Sequence, residues 1–158
     1  MPVQLPQLLH PSRILLRVQA TKRTAAIHEV ARLLEGHPDI TDYSHFYNTL
    51  LARERLDSTY IGNEISLPHA RTDYARTTVL AVGRCPDGVY FENCGQTVRL
   101  IFVVATPKSE PGDYLALVGS LCRVLKEPPV RRSLLAATTT GEFIGVFGGA
   151  ADRLLIPA

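Results

Sequence analysis

The residues best suited to chemistry lie in one stretch, where an arginine-rich segment leads to a proline-histidine pair. Arg53 and Arg55 precede a polar turn, and the chain then reaches Pro68 and His69. Proline fixes its own φ and restricts the conformation of the residue before it, so His69 follows a rigid segment of backbone. Imidazole has a reference pKa of about 6.5, so apolar neighbours keep it neutral, with a lone pair that can attack phosphorus. The pattern predicts a nucleophilic histidine.

The two arginines could stabilise the group that such a histidine accepts. A phosphoryl group is anionic, and a guanidinium pairs with its oxygens bidentately. One pair of unit charges at about 4 Å is worth about 4 kcal/mol at an effective dielectric near 20. Alternatively, Arg53 and Arg55 are solvated cations at a helix end, where they interact with the helix dipole. The residues alone leave both interpretations open.

His69 must also be weighed against the other histidines of the chain. Most histidines in proteins are surface or satisfied core residues, and the residues around His69 do not by themselves separate it from that class. A hydrolase with His69 as general base would need a nucleophile motif such as G-x-S-x-G, which the chain lacks. No catalytic role is expected for four histidines: His10, His28, His37 and His45.

Composition predicts one globular domain over residues 1–158, with 46% hydrophobic and 20% charged residues. The net charge of +2 comes from 17 basic and 15 acidic side chains without a long basic run, so we expect no nucleic-acid partner. The apolar runs are shorter than the roughly 20 residues that span a bilayer, and no signal peptide is recognisable. A cytoplasmic protein without membrane insertion is therefore expected.

Neither a metal nor a cofactor is predicted. The three cysteines, Cys85, Cys94 and Cys122, are odd in number and lack C-x-x-C spacing, so we expect buried, reduced thiols. The chain has no H-E-x-x-H and no nucleotide-binding G-x-x-x-x-G-K-[ST]. A phosphoryl donor would therefore have to arrive already activated on another protein.

Strands and helices alternate, which predicts an α/β fold with a mixed sheet flanked by helices on both faces. Residues 14–19 and 64–67 are predicted strands, and residues 98–105 are apolar enough for a central strand buried on both faces. Residues 78–84 and 89–91 are predicted to form a hairpin around the Cys85-Pro86-Asp87-Gly88 turn. Predicted helices cover residues 21–35, a segment from Thr41 or Asp42 to Arg55, and residues 113–126, 128–135 and 142–147. On the helix at 113–126, the predicted buried face consists of Leu115, Val118, Cys122 and Leu125.

The central stretch resembles the type-2 enzyme IIA family of phosphotransferase components, the fructose/mannitol and nitrogen-regulatory class. The resemblance rests on a helix ending in Arg53-Glu54, a Thr-x-x-Gly turn from Thr59 to Gly62, and the Ile-x-x-Pro-His segment that ends at His69. It extends over about residues 5–147, including Thr21-Lys22, the strand ending in Ala-x-Pro at Pro107, and the helix at 115–125.

The resemblance implies that His69 accepts a phosphoryl group from the histidine carrier HPr or a paralogue, and that Arg53 stabilises it. Arg55, Thr59 and Pro68 are expected to contribute to the same binding site. The group would pass to an enzyme IIB component. The alternative is a nitrogen-type regulatory protein whose phosphorylation state controls its binding to a target protein.

One position departs from the family pattern. Family members usually carry a second histidine at the start of the late helix, and this chain has Tyr114 there. A tyrosine hydroxyl can donate a hydrogen bond to a phosphoryl oxygen but cannot be a cation at neutral pH. Tyr114 is thus expected either to bind the phosphoryl group with reduced activity or to be an ordinary half-buried aromatic.

Overall fold

The sheet is built around the long apolar segment predicted as the central strand. The computed structural model describes residues 5–155, so residues 1–4 and 156–158 of the predicted domain lie outside the described range. The strands are β1 (Ile14–Leu15), β2 (Tyr60–Gly62), β3 (Ile65–Ser66), β4 (His69–Thr72), β5 (Val79–Phe91) and β6 (Gln96–Pro107). Strand β6 pairs antiparallel with β5 and parallel with β3 and β4. The sheet is therefore mixed, as predicted.

Helices cover both faces of this sheet. They are α1 (Leu5–Leu8), α2 (Arg23–Ala31), α3 (Tyr43–Leu56), α4 (Pro111–Leu125), α5 (Pro128–Ala136) and α6 (Thr140–Leu155). Residues of β6 alternate between two cores: Phe102 and Val104 pack with α4, α5 and α6, whereas Ile101 and Val103 pack with α2 and α3. The predicted fold class is confirmed. None of the helices in the described range is long and apolar enough to cross a membrane.

Helix α2 lies very close to β5, and a glycine makes that approach possible. A Cβ atom at Gly83 would come within 2.2 Å of Val30 Cγ2 and 2.9 Å of Val18 Cγ2. Since such distances are far below van der Waals contact, a larger residue at Gly83 would push α2 away from the sheet.

The hairpin predicted around Gly88 is wrong. Strand β5 continues from Val79 to Phe91, and its pairing with β6 shifts register between Arg84 and Val89. Gly88 has a φ of +78°, and this conformation allows an irregularity within the strand instead of a chain reversal. The reversal comes later, where the Cys94 and Gly95 amides both donate to the Phe91 carbonyl.

The first strand and first long helix are shorter than predicted. Strand β1 covers only two residues, although the Val18 amide still donates to the Arg84 carbonyl at 2.9 Å. Helix α2 ends at Ala31, and a 3-10 turn over Arg32–Leu34 completes the predicted segment before Gly36, whose φ is +84°.

The predicted buried face of α4 is partly wrong: Leu125 is buried and Val118 half-buried, but the buried side of the helix is rotated away from Leu115 and Cys122. Leu115 is 67% exposed and Cys122 is exposed. The buried residues of α4 are Leu117, Leu121, Val124 and Leu125. Both sets have helical spacing, so periodicity alone could not decide between them. Of the three thiols predicted to be buried, Cys85 is buried, Cys94 is half-buried and Cys122 is not.

Candidate active site

His69 begins β4, directly beside the central strand. The residue pairs with Val104 of β6, and the Val104 amide donates to the Pro68 carbonyl at 2.9 Å. The Leu67 amide donates to the Thr59 carbonyl at 3.0 Å, and Leu67 and Pro68 are both buried. We inferred from Pro68 that the backbone before His69 is rigid. This rigidity has a second cause, because backbone hydrogen bonds hold the chain on both sides of Pro68.

The His69 imidazole is half-buried and has a defined orientation. Its Nδ1 lies 3.1 Å from the Leu67 carbonyl oxygen. Since a carbonyl only accepts hydrogen bonds, Nδ1 carries the hydrogen and Nε2 keeps the free lone pair. Burial lowers the pKa of His69, the bond to Leu67 raises it, and the positive charge of Arg53 lowers it further. The neutral form is favoured at neutral pH.

Tyr114 packs against this imidazole from the first turn of α4. The two ring centroids are 4.8 Å apart, and the ring planes are inclined by 36°. Burial raises the pKa of Tyr114, whereas the charges of Arg53 and Arg71 lower it. The half-buried tyrosine is thus a neutral hydrogen-bond donor next to His69.

The two candidate arginines lie in different surroundings. Arg53, in the last turn of α3, donates from Nη1 to the Asp57 carbonyl at 3.1 Å, and its charge lowers the pKa of both His69 and Tyr114. Arg55 is exposed, and its charge lowers the pKa of Tyr47 instead. Of the two, Arg53 is the arginine whose charge acts on the imidazole.

A buried carboxylate connects the end of α3 to the strand that precedes His69. Glu54 is only 4% exposed, and its Oε1 accepts a short hydrogen bond from the Thr59 hydroxyl. Thr59 Oγ1 also lies 3.4 Å from Ser66 Oγ in β3, and Glu54 Oε2 lies 3.5 Å from Arg23 Nη1. Burial raises the pKa of Glu54, and the Thr59 hydrogen bond and the Arg23 charge lower it.

This network includes Thr59, one of the residues predicted to contribute to the binding site. Its hydroxyl is buried and donates to Glu54, so Thr59 links α3 to β3. The interior position of Glu54 had a signal in the sequence, because Phe46, Leu50 and Glu54 recur every fourth residue along α3 and all three are buried.

Arg71 was not predicted as a site residue. It lies two positions after His69 in β4, is exposed, and its charge acts on Tyr114. The available signal was strand alternation, which places residues i and i+2 on the same side of a sheet.

Within residues 5–155, no group of three or more His, Cys, Asp and Glu side chains is arranged to hold a metal ion. The imidazole of His69 and the phenol of Tyr114 are in contact, and the charges of Arg53 from α3 and Arg71 from β4 act on the Tyr114 hydroxyl. Such a set suits nucleophilic attack on an anionic phosphoryl group and its stabilisation by cations.

Comparisons with known proteins identify a matching family and several similar proteins. Residues 7–148 match the family described as phosphoenolpyruvate-dependent sugar phosphotransferase system, EIIA 2. The chain is 28% identical over 145 residues to the PTS system fructose-specific EIIABC component of Bacillus subtilis, with 91% of this chain covered but only 23% of that longer protein. It is 30% identical over 138 residues to the nitrogen regulatory protein of Pseudomonas aeruginosa, with 87% and 90% covered.

A solved structure has the same fold. The complex of enzyme IIAMTL and phosphorylated enzyme IIBMTL from Escherichia coli matches with a TM-score of 0.77 at 24% identity, covering 89% of this chain and 97% of that chain. At this identity the match bears on the fold. The family match extends over nearly all the described residues and includes both the helix that carries Arg53 and the strand that carries His69. The resemblance seen in the sequence is confirmed: the chain belongs to the type-2 enzyme IIA family of the phosphoenolpyruvate-dependent sugar phosphotransferase system.

Proposed function

We propose that His69 accepts a phosphoryl group from HPr or an HPr paralogue and passes it to an enzyme IIB component. The observation that carries the proposal is the hydrogen bond from His69 Nδ1 to the Leu67 carbonyl, which leaves Nε2 as the nucleophile. The lowered pKa of His69 keeps that nitrogen unprotonated at neutral pH.

In the transfer step, the Nε2 lone pair forms a new N–P bond as the N–P bond of the donor phosphohistidine breaks. The donor imidazole leaves with the electron pair of that bond, so no external acid, base or metal is needed. The ring of His69 becomes more positive as Nε2 is phosphorylated, which strengthens its Nδ1–H bond to Leu67. The same fixed geometry serves the onward step to enzyme IIB.

Arg53 and Tyr114 are the proposed partners of the phosphoryl oxygens. Arg53 supplies a cation whose position is set by its own bond to Asp57 and by the burial of neighbouring Glu54. Tyr114 supplies a neutral hydroxyl, and a hydrogen bond to a charged group contributes about 1.5 to 3 kcal/mol. Pro68 contributes by fixing the backbone from which His69 projects. The position of Arg55 supports a smaller role than that of Arg53.

The partners are proposed from the family and from the related complex. The structure of the Escherichia coli relative was solved in complex with phosphorylated enzyme IIB. We infer that this chain binds a IIB component with the surface around His69. Relatives include both sugar-specific and nitrogen-regulatory proteins, and no contact at the site favours the regulatory role over the carrier role. A cytoplasmic location remains a prediction.

The test is a labelling reaction with purified components. Incubation with phosphoenolpyruvate, enzyme I and HPr should add one acid-labile phosphoryl group, visible by intact-mass spectrometry, and ATP alone should add none. His69→Ala should abolish labelling, whereas His45→Ala, which changes an exposed histidine on α3, should not. Equal labelling of wild type and His69→Ala would refute the proposal.

A further inference from the structure

Strand β4 turns two functional side chains toward the same side of the sheet. Along this strand His69 is half-buried, Ala70 buried, Arg71 exposed and Thr72 buried. Because strand residues alternate in direction and rise about 3.3 Å each, the Cα atoms of His69 and Arg71 are about 6.6 Å apart on one side. A guanidinium on a long, flexible stem can bridge that distance to a group carried on His69 Nε2.

The register of β4 shows which layer these two residues face. His69 pairs with Val104, and Arg71 pairs with Thr106 in β6. Val104 belongs to the core shared with α4, so His69 and Arg71 project toward the α4 side, where Tyr114 lies. The charges of Arg71 and Arg53 both reach the Tyr114 hydroxyl, although one comes from β4 and the other from α3.

The Arg71 guanidinium is also available for a ligand. Among the described residues it makes no hydrogen bond or ion pair, in contrast to Arg84, which donates to the Leu16 carbonyl, and Arg99, which pairs with Glu64. Tyr114 cannot supply positive charge at neutral pH. A phosphoryl group carries a charge of about −1.5 to −2, more than Arg53 alone can neutralise.

We propose that Arg71 is a second phosphoryl-binding cation, which contacts the group on His69 from β4 as Arg53 contacts it from α3. The inference rests on the proposed function of His69, since it assigns a further residue to the same site. Arg71 lowers the free energy of the phosphorylated state and of the transfer step by pairing with phosphoryl oxygens that Arg53 leaves free. The charges of both cations act on the Tyr114 hydroxyl.

The experiment compares wild type, Arg71→Gln, Arg71→Lys and Arg132→Gln, the last altering an exposed arginine on α5. Each protein is phosphorylated with phosphoenolpyruvate, enzyme I and HPr, and separately with potassium phosphoramidate, which needs no protein partner. The equilibrium phosphorylated fraction and the hydrolysis half-life of the phosphohistidine are then measured. Circular dichroism should show one fold, since the altered residues are exposed.

Arg71→Gln should shift the phosphorylation equilibrium by about tenfold toward the free protein with both donors, which corresponds to about 1.4 kcal/mol. Arg71→Lys should give an intermediate value, because lysine keeps the charge but loses bidentate geometry. Arg132→Gln should match wild type. A further readout is the guanidinium Nε–H signal of Arg71 in NMR spectra, which should move on phosphorylation.

Other outcomes separate the two proposals. If wild type is phosphorylated at His69 but Arg71→Gln has an unchanged equilibrium and half-life, Arg71 does not bind the phosphoryl group. If Arg71→Gln slows labelling by HPr alone and not by phosphoramidate, Arg71 contacts the partner protein, and the inference is overturned. Wild type that is never phosphorylated at His69 overturns the proposed function and this inference together.

Discussion

The ring of Tyr114 lies against the imidazole of His69, with 4.8 Å between the two centroids. The two residues come from the start of α4 and the start of β4, so the fold brings them together across a long separation in sequence. The phenol ring thereby covers part of the half-buried imidazole. The contact fits a neutral nucleophile with a hydrogen-bond donor beside it.

Tyr114→Phe keeps the aromatic ring and removes the hydroxyl. We expect slower phosphorylation by HPr, by about tenfold or more, because a charge-assisted hydrogen bond of about 1.5 to 3 kcal/mol is lost. Rapid-quench measurement of the labelling rate is the assay, with thermal unfolding as the check on the fold. An unchanged rate would mean that Tyr114 only packs against His69.

The arginines of α3 differ in their surroundings, and their variants should differ too. Arg53→Ala should slow phosphoryl transfer on the order of 100-fold, the usual cost of removing one preorganised donor from a transition state. It should leave the unfolding temperature nearly unchanged, because a partly exposed charge at a helix end contributes little to stability. Arg55→Ala should have a smaller effect on the same rate. Equal effects from both variants would contradict the placement of Arg53.

The protonation of His69 should be visible in its titration. Burial and the charge of Arg53 lower its pKa, so the NMR titration midpoint of the His69 C2 proton should lie below about 6.5. Because the unfolded chain takes up this proton first, His69 favours the folded state above pH 6.5, and that contribution is lost as the pH falls toward the folded pKa. The labelling rate should also decrease as His69 becomes protonated.

The same titration checks the role of Arg53. Arg53→Ala should move the His69 midpoint upward, whereas Arg132→Gln, on another surface, should leave it in place. A wild-type midpoint at or above 6.5 would mean that the electrostatics of the site have been assigned wrongly.

The buried network beneath the site makes Thr59 a stability residue. Thr59→Val removes the donor to Glu54 Oε1 and leaves a buried carboxylate oxygen without that partner, which should lower the free energy of unfolding by about 1 to 3 kcal/mol. Thr59→Ser keeps the hydroxyl and should lose less. Chemical denaturation gives the free energy of unfolding of wild type and both variants. A Thr59→Val protein as stable as wild type would show that this hydrogen bond contributes nothing to stability.

Local sequence chemistry predicted some parts of the fold well. The apolar segment at 98–105 became the central strand, and the predicted strand at 64–67 became the shorter β3, whereas the strand that begins at His69 was not predicted. Gly88 misled the prediction, because a glycine with positive φ serves a turn and a strand irregularity equally well. The pairing of β5 with the next strand, β6, on both sides of Gly88 decided between the two.

The remaining site residues depended on tertiary contacts. The choice between the Leu115 face and the Leu117 face of α4 is made by packing against the sheet, and both faces have helical spacing. The proposed role of Arg71 depends on the pairing of β4 with β6 and on the position of Tyr114 in α4. Short-range patterns point to His69 as the proposed nucleophile, whereas the proposed second cation, Arg71, requires the assembled sheet.

The most direct measurement is a heteronuclear NMR spectrum of the imidazole nitrogens before and after phosphorylation by phosphoenolpyruvate, enzyme I and HPr. Because His69 Nδ1 donates to the Leu67 carbonyl, we predict phosphorylation of Nε2 in His69, with Nδ1 still protonated and the other histidines unchanged. Phosphorylation at Nδ1, or at any residue other than His69, would contradict the assignment of His69 as the phosphoryl acceptor held by the Leu67 carbonyl.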